Sequence, residues 1–312
     1  MEKFCHKPVL LKETIDALNV QPGGRYLDGT LGRAGHSREI VRRGGIVLGL
    51  DRDDEAISEV TAARETDELL KSITVVKAEH GDLAECARAQ GWDSLDGVLL
   101  DLGVSSPQLD EAARGFSFLR EGPLDMRMDR TRGRTAADWV NEESVESLTE
   151  IFRQWGEEKQ AYRIARAIEA ARQKAPLTTT RELANLVEKT IGRHGGHHPA
   201  TRVFQALRMA VNGEVDQLKR ALTGAIELIV EGGRVAVITF ESITDRIVKQ
   251  FFAAHVGQAV SLLAGGSRWE GELPRGFLPF RKPITASDEE LLSNPRSRSA
   301  KLRVFQKRSH QQ

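Results

Sequence analysis

Along the first third of the chain the apolar residues fall into short aliphatic runs, each closed by an acid and followed by a helical stretch. That is the pattern of strand–helix units around a parallel sheet. Three runs carry it: Arg25–Asp28, Ile46–Asp51 and Gly97–Asp101. Ile73–Val76 reads as a weaker fourth strand, preceded by a charged helical stretch from Asp53 to about Lys71. Together these units predict a doubly wound α/β sheet.

From about Thr135 to Asn212 the period changes. Ala161, Ile164, Ala165, Ile168 and Ala171 recur at helical spacing. Thr179 and Glu182 form a capping-box pattern ahead of Leu183, Leu186 and Val187, and Pro199 sits where a helix starts before Val203, Leu207 and Val211. Strand signals return at Arg234–Phe240 after a Gly232-Gly233 turn, then at Ala259–Leu263 and Leu302–Phe305. The expected organisation is an α/β domain in two parts, residues 1–110 and 213–312, interrupted by an all-helical insertion over 111–212.

Composition narrows the function classes. With 312 residues, 40% hydrophobic and 29% charged, the chain has enough apolar material for a sizeable core. No apolar run approaches the roughly 18–20 residues of a membrane-spanning helix, and the N-terminus carries no secretory signal pattern. Two cysteines, Cys5 and Cys86, make neither a disulfide framework nor a cysteine zinc site. A cytoplasmic location away from membranes is expected. Lys plus Arg number 45 and so do Asp plus Glu, so any nucleic-acid contact must be local. Two stretches qualify: Asn294–Arg308, with six basic residues and no acid, and Arg114–Arg134, with six arginines against three acids.

The candidate chemistry sits at the strand ends. Asp28-Gly29-Thr30-Leu31-Gly32-Arg33-Ala34-Gly35-His36 follows the first strand and enters a helix, where glycines let a ligand approach the backbone and free N–H groups face it. Its G-x-x-G-x-x-G spacing differs from the dinucleotide fingerprint, and a tight turn that merely needs glycine would look the same. Asp51, 23 residues after Asp28, suits a ribose hydroxyl contact, or else simply charges the start of the next helix together with Asp53 and Asp54. Asp101 closes the next candidate strand and leads into Leu102-Gly103-Val104-Ser105-Ser106-Pro107-Gln108, a place for a planar base or for a turn cap. His194, His197 and His198 crowd a glycine-rich loop with no adjacent cysteine or carboxylate, so no metal site is expected.

At these residues the chain resembles a known family, the MraW-type methyltransferases that modify the exocyclic N4 of a cytosine in small-subunit (16S) ribosomal RNA using S-adenosylmethionine. The matching strings include His6–Leu11, Asp28–Ser37, Leu99–Asp110, Arg114–Phe118, Gly122–Asp129, Gly156–Glu158, His198–Arg202, Phe204–Arg208, Asp245–Lys249 and Asn294–Ser299. They span essentially the whole chain. The resemblance implies a class I methyltransferase (Rossmann-like) sheet with an all-helical insertion that recognises RNA. It also implies cofactor contacts at Asp28, Ala34, Gly35, His36, Asp51, His80, Asp101 and Gln108. Three positions depart from the family pattern: Ala34 in place of glycine, His80 in place of phenylalanine, and Glu241 in place of histidine. Ala34 is expected to take a negative φ, and His80 to lie flat against adenine.

Methyl transfer from a sulfonium is an in-line displacement that requires the amine lone pair to be aligned with the methyl carbon. Asp101 is the first candidate to hold the cytosine amine, and Asp125 the second carboxylate. The insertion and the C-terminal basic run are expected to hold the RNA through Arg127, Arg202, Arg208, Arg296, Arg298 and Lys301. Because a duplex hides N4, the target is expected in single-stranded or splayed RNA within the small ribosomal subunit; a homodimer is left open. Three other functions would leave different traces. A non-catalytic assembly protein would not bind S-adenosylmethionine, a nicotinamide oxidoreductase would bind NAD instead, and a DNA amino-methyltransferase would label DNA rather than RNA.

Overall fold

The computed structural model describes residues 8–193, 196, 198–261, 267–270 and 275–309. The chain divides into two compact units, Met1–Gly103 with Asp216–Gln312, and Val104–Val215. The changeovers fall at 103/104 and 215/216, against the expected 110/111 and 212/213.

The first unit holds strands β1 (Arg25–Asp28), β2 (Ile46–Asp51), β3 (Thr74–Lys77), β4 (Leu95–Asp101), β5 (Ile229–Thr239), β6 (Gln258–Ser261), β7 (Ser267–Glu270), β8 (Gly276–Phe277) and β9 (Lys301–Lys307). Seven of them form one sheet in the order β3-β2-β1-β4-β5-β9-β8, and β6 and β7 pair separately. The five strands from β3 to β5 are parallel, whereas β9 runs antiparallel to both β5 and β8. This is the class I methyltransferase fold.

Alternation along the strands explains the two cores. Leu27, Val98, Leu100, Val235 and Val237 face one side, with Leu218, Leu222, Val248 and Phe252. Tyr26, Leu99, Ala236 and Ile238 face the other, with Ile15, Leu18 and Ile40. Strand β5 starts five residues earlier than the alternation predicts. Gly232, at φ +81°, forms a bulge rather than a terminating turn, so Leu95 still pairs with Ile229 while Gly97 pairs with Arg234.

The helices are α1 (Leu11–Leu18), α2 (Gly35–Arg42), α3 (Asp54–Ala63), α4 (Glu68–Lys71), α5 (Leu83–Ala89), α6 (Ser106–Asp110), α7 (Ala136–Glu142), α8 (Val145–Gly156), α9 (Ala161–Arg172), α10 (Thr180–Ile191), α11 (Thr201–Val211), α12 (Glu214–Leu228), α13 (Ser242–Val256) and α14 (Asp288–Ser293). The second unit is helical around a core that includes Leu124, Met126, Val140, Phe152, Ile164, Ile168, Leu183, Val187 and Leu207. The capping box expected at Thr179 and Glu182 starts α10. Gly156 is where α8 meets α11, and a Cβ there would lie 2.6 Å from the Arg202 carbonyl oxygen.

Candidate functional site

Parallel strands end their carboxyl termini along one edge, so β1, β2 and β4 bring Asp28, Asp51 and Asp101 to the same edge of the first unit. The loop from Gly29 to Ala34 is pinned between them. Gly29 N–H donates to the Leu99 carbonyl at 2.9 Å, and Leu31 N–H to that of Leu50 at 2.8 Å. At Gly29 a Cβ would stand 2.6 Å from Leu100 Cδ2, so a larger residue there would require the Leu100 side chain to move. At Gly35 a Cβ would come within 2.2 Å of Pro8 Cγ.

The three carboxylates have different partners. Asp28 is buried, and its Oδ2 accepts from Ser37 Oγ at 2.7 Å while Oδ1 accepts from Thr30 N–H at 3.1 Å. Burial nevertheless raises its pKa to about 6, helped by the charge of Asp51. Asp51 accepts Gly32 N–H on Oδ2 at 2.8 Å and Asp53 N–H on Oδ1 at 2.9 Å, and burial pushes it above the ordinary carboxylate value. Asp101 differs because its Oδ1 is buried with no hydrogen-bond partner among the described residues. Burial and then the charge of Asp28 raise Asp101 to about 7.

Two histidines stand beside them. His36 faces the Val9 carbonyl with Nε2 at 3.0 Å, which requires a proton on Nε2, and its Nδ1 lies 3.9 Å from Asp101 Oδ2. His80, in the short turn His80–Asp82 after β3, is buried near Gly29. Burial, with Arg52 and Arg220 nearby, lowers its pKa to about 3, so it is a neutral ring, and its Nε2 has no partner among the described residues. Glu241 lies just beyond β5 at the start of α13, with its carbonyl accepting from Thr244 Oγ1 at 3.1 Å.

Ala34 corrects an expectation. It sits at φ +58° and ψ 26°, left-handed rather than at negative φ, as the residue before α2. The conformation that glycine adopts freely is here imposed on alanine, whose side chain is fully buried in the core.

The remaining candidates have partners of their own. Gln108 belongs to the second unit and closes the capping box of α6, its Oε1 accepting from Ser105 N–H at 3.0 Å. Asp125, also in that unit, is gripped by Arg127, whose Nε and Nη2 donate at 2.7 and 3.0 Å, with Arg130 Nε 3.7 Å away. Burial alone would raise its pKa, but the hydrogen bonds and charges of these arginines hold it below the ordinary value. Its charge is thus already compensated. Arg208 is buried in a bidentate pair with Glu214, both contacts at 2.8 Å, which departs from the surface role expected of it. Lys301 lies 3.3 Å from Asp245, which Arg303 also holds. Arg296 and Arg298 are exposed in the turn before β9, and Arg202 is exposed with Nη1 3.3 Å from the Glu157 carbonyl. No metal-holding cluster occurs among the described residues. His198 is engaged with Ala200 N–H and Glu188, while His194 and His197 lie outside the described residues. Among the described residues no helix is long and apolar enough to cross a membrane.

The sequence profile of the MraW methylase family matches residues 3–308. The chain belongs to the MraW methylase family. It is 46% identical to the ribosomal RNA small subunit methyltransferase H of Bordetella avium, over 98% of this chain and 93% of that protein. The protein of the same name from Shewanella amazonensis is 44% identical, with 98% of each chain covered. Among solved structures, a putative rRNA-methylase from Clostridium thermocellum aligns at 13% identity and TM-score 0.45, covering 97% of this chain and 99% of that one. Of the candidate site, Asp28, Asp51 and Asp101 are legible in the sequence as strand-end acids. The arginine clasp on Asp125 is not, because it depends on a turn that brings residue 127 back onto residue 125.

Proposed function

We propose that this chain transfers a methyl group from S-adenosylmethionine to the exocyclic N4 of a specific cytosine in 16S ribosomal RNA, within the small ribosomal subunit. The observation that carries this is the edge of three carboxylates, Asp28 buried and Asp51 and Asp101 half-buried, each with its pKa raised by desolvation and, among the described residues, with no cation within ion-pair distance of Asp28 or Asp51. Such an edge favours a ligand that brings positive charge and hydroxyl donors. S-adenosylmethionine, with its sulfonium, ammonium and ribose, has both. The residues fit it: Asp101 Oδ1 and His80 Nε2 are buried polar atoms with no hydrogen-bond partner among the described residues, and Asp51 keeps acceptor capacity beyond the Gly32 and Asp53 N–H groups. The names of the 44–46% identical relatives support the small-subunit RNA substrate.

Asp51 would hold the ribose, with lone pairs left over from the Gly32 and Asp53 N–H groups. Neutral His80 would lie against the adenine without adding charge. The bound cofactor supplies the electrophilic methyl group. Asp101, whose side chain stays 26% exposed at the strand end, would accept a hydrogen bond from the cytosine amine and stabilise positive charge as the nitrogen is alkylated. Its raised pKa also lets it take the proton that the methylated amine must lose.

The test is a labelled-methyl assay with purified protein on 16S RNA and on DNA, joined to mapping of N4-methylcytosine in cells with and without the protein. One RNA cytosine should lose its mark when the protein is removed. Label on DNA alone, or an unchanged RNA map, would refute the proposal.

A further inference from the structure

In the second unit most arginines of the expected basic stretch are held internally. Arg114 is buried against the Met128 carbonyl, Arg127 holds Asp125, Arg132 pairs with Asp129, and Arg134 pairs with Glu142 and Glu143. The start of α9 is different. Tyr162 is 59% exposed there, with Lys159, Arg163 and Arg166 exposed around it. Among the described residues no carboxylate lies within ion-pair distance of these three cations, and Arg163 reaches only Gln160 Oε1, at 3.3 Å. Of the nearby acids, two are engaged elsewhere. Glu158 is buried and accepts Gln160 N–H at 2.8 Å, and Glu169 pairs with Arg172. Glu157 is exposed, and Arg202, against its carbonyl, is itself paired with Glu158 at 4.0 Å, so the surface is carried by Lys159, Arg163 and Arg166.

A lone exposed tyrosine is ordinary on a protein surface. A ring flanked in sequence by three exposed cations with no acid in ion-pair distance fits a polyanion with flat faces to stack. Tyr162 and Arg166 are one turn apart on the same side of α9, so a base on the ring and a phosphate on the guanidinium can be met together. Duplex RNA already stacks its bases on one another and offers the ring no free face, whereas single-stranded RNA does.

We propose that the start of α9 is a single-stranded RNA-binding surface, with Tyr162 stacking a base and Lys159, Arg163 and Arg166 contacting phosphates. The proposal rests on the RNA reading above and assigns its contact to a surface other than the arginine-rich stretch between residues 114 and 134.

The test uses the intact chain and three variants, Tyr162→Ala, Tyr162→Phe and Lys159→Ala/Arg163→Ala/Arg166→Ala. Anisotropy measures binding to a polyuridylate of roughly 16 nucleotides, to the same strand in duplex with polyadenylate, and to a 16S RNA transcript. The triple variant should flatten the slope of log affinity against log salt on single strands by about 2. Tyr162→Ala should weaken single-strand binding about 5- to 150-fold, and Tyr162→Phe should keep it. Unchanged affinity for S-adenosylhomocysteine, by calorimetry, shows that each variant remains folded. If wild type binds and methylates RNA but the slope and the Tyr162→Ala affinity do not move, the surface is wrong and the enzymatic reading stands. Equal losses on duplex and single strand would also overturn it. A wild-type chain that neither binds nor methylates RNA would sink both.

Discussion

Replacing Asp101 by asparagine keeps the size and one acceptor oxygen and removes the charge. Its effect on stability can be worked out in sign and size. The carboxyl has an ordinary pKa of 3.8 and about 7 in the folded chain, raised by burial and then by Asp28. A raised carboxyl favours folding fully below the unfolded value, and that advantage is lost as pH rises through the folded value. Wild type is therefore penalised at pH 8 and the variant is not. The shift sets a ceiling of ~4 kcal/mol at 1.36 kcal/mol per unit. Because the side chain is 26% exposed, water screens part of this. We expect a gain of ~1–2 kcal/mol, or a rise of about 2–6 °C in melting temperature at pH 8, shrinking steadily toward pH 4. If the carboxylate holds the amine, single-turnover methylation falls by roughly 10² or more while S-adenosylhomocysteine affinity changes little. If it serves the cofactor instead, affinity falls and saturating cofactor restores most of the rate. A variant that is less stable at every pH, with near-normal turnover in the folded fraction, would make Asp101 a turn cap and refute the assignment.

Asp51→Ala should weaken cofactor binding by about 1.5–3 kcal/mol, the loss of a charge-assisted hydrogen bond, and unchanged calorimetric affinity in a folded variant would contradict it. Arg208→Ala leaves Glu214 buried and unpaired, so it should cost about 3–5 kcal/mol in denaturant unfolding and leave the salt dependence of RNA binding alone. In Arg296→Ala/Arg298→Ala/Lys301→Ala the two exposed arginines should account for nearly all of any flattened salt slope, because Lys301 is already beside Asp245. Restoring Lys301 in that background separates its share, and a large share would refute its assignment to the Asp245 cluster.

The strand-end acids could be read from sequence because a parallel sheet converts a local pattern, aliphatic run then acid, into a shared edge without any knowledge of distant contacts. What stayed hidden depended on contacts that no window of a few residues contains. Arg208 follows Leu207 on a helix and reads as a surface cation, yet its partner Glu214 lies past the helix end, beyond the reach of any i, i+4 pairing. The same holds for the stretch from Arg114 to Arg134, where charge counting predicts a basic surface and the turns fold most of its arginines onto its own acids and carbonyls.

Ala34 shows a subtler limit. Alanine, like other L-residues with a Cβ, takes negative φ almost everywhere, so its identity argues for negative φ, and only the loop decides otherwise. Gly32 N–H must reach Asp51, and Ala34 N–H must reach the Leu31 carbonyl at 2.7 Å, and together these turn the chain left-handed before α2 begins. The conformation costs roughly 1–2 kcal/mol for an L-residue. Burial of its methyl group returns only about 0.8 kcal/mol, and a glycine in its place would lose roughly 0.5–1 kcal/mol to backbone entropy. These terms nearly cancel. An alanine can therefore stand in a conformation that favours glycine, with the loop geometry of the carboxylate edge kept.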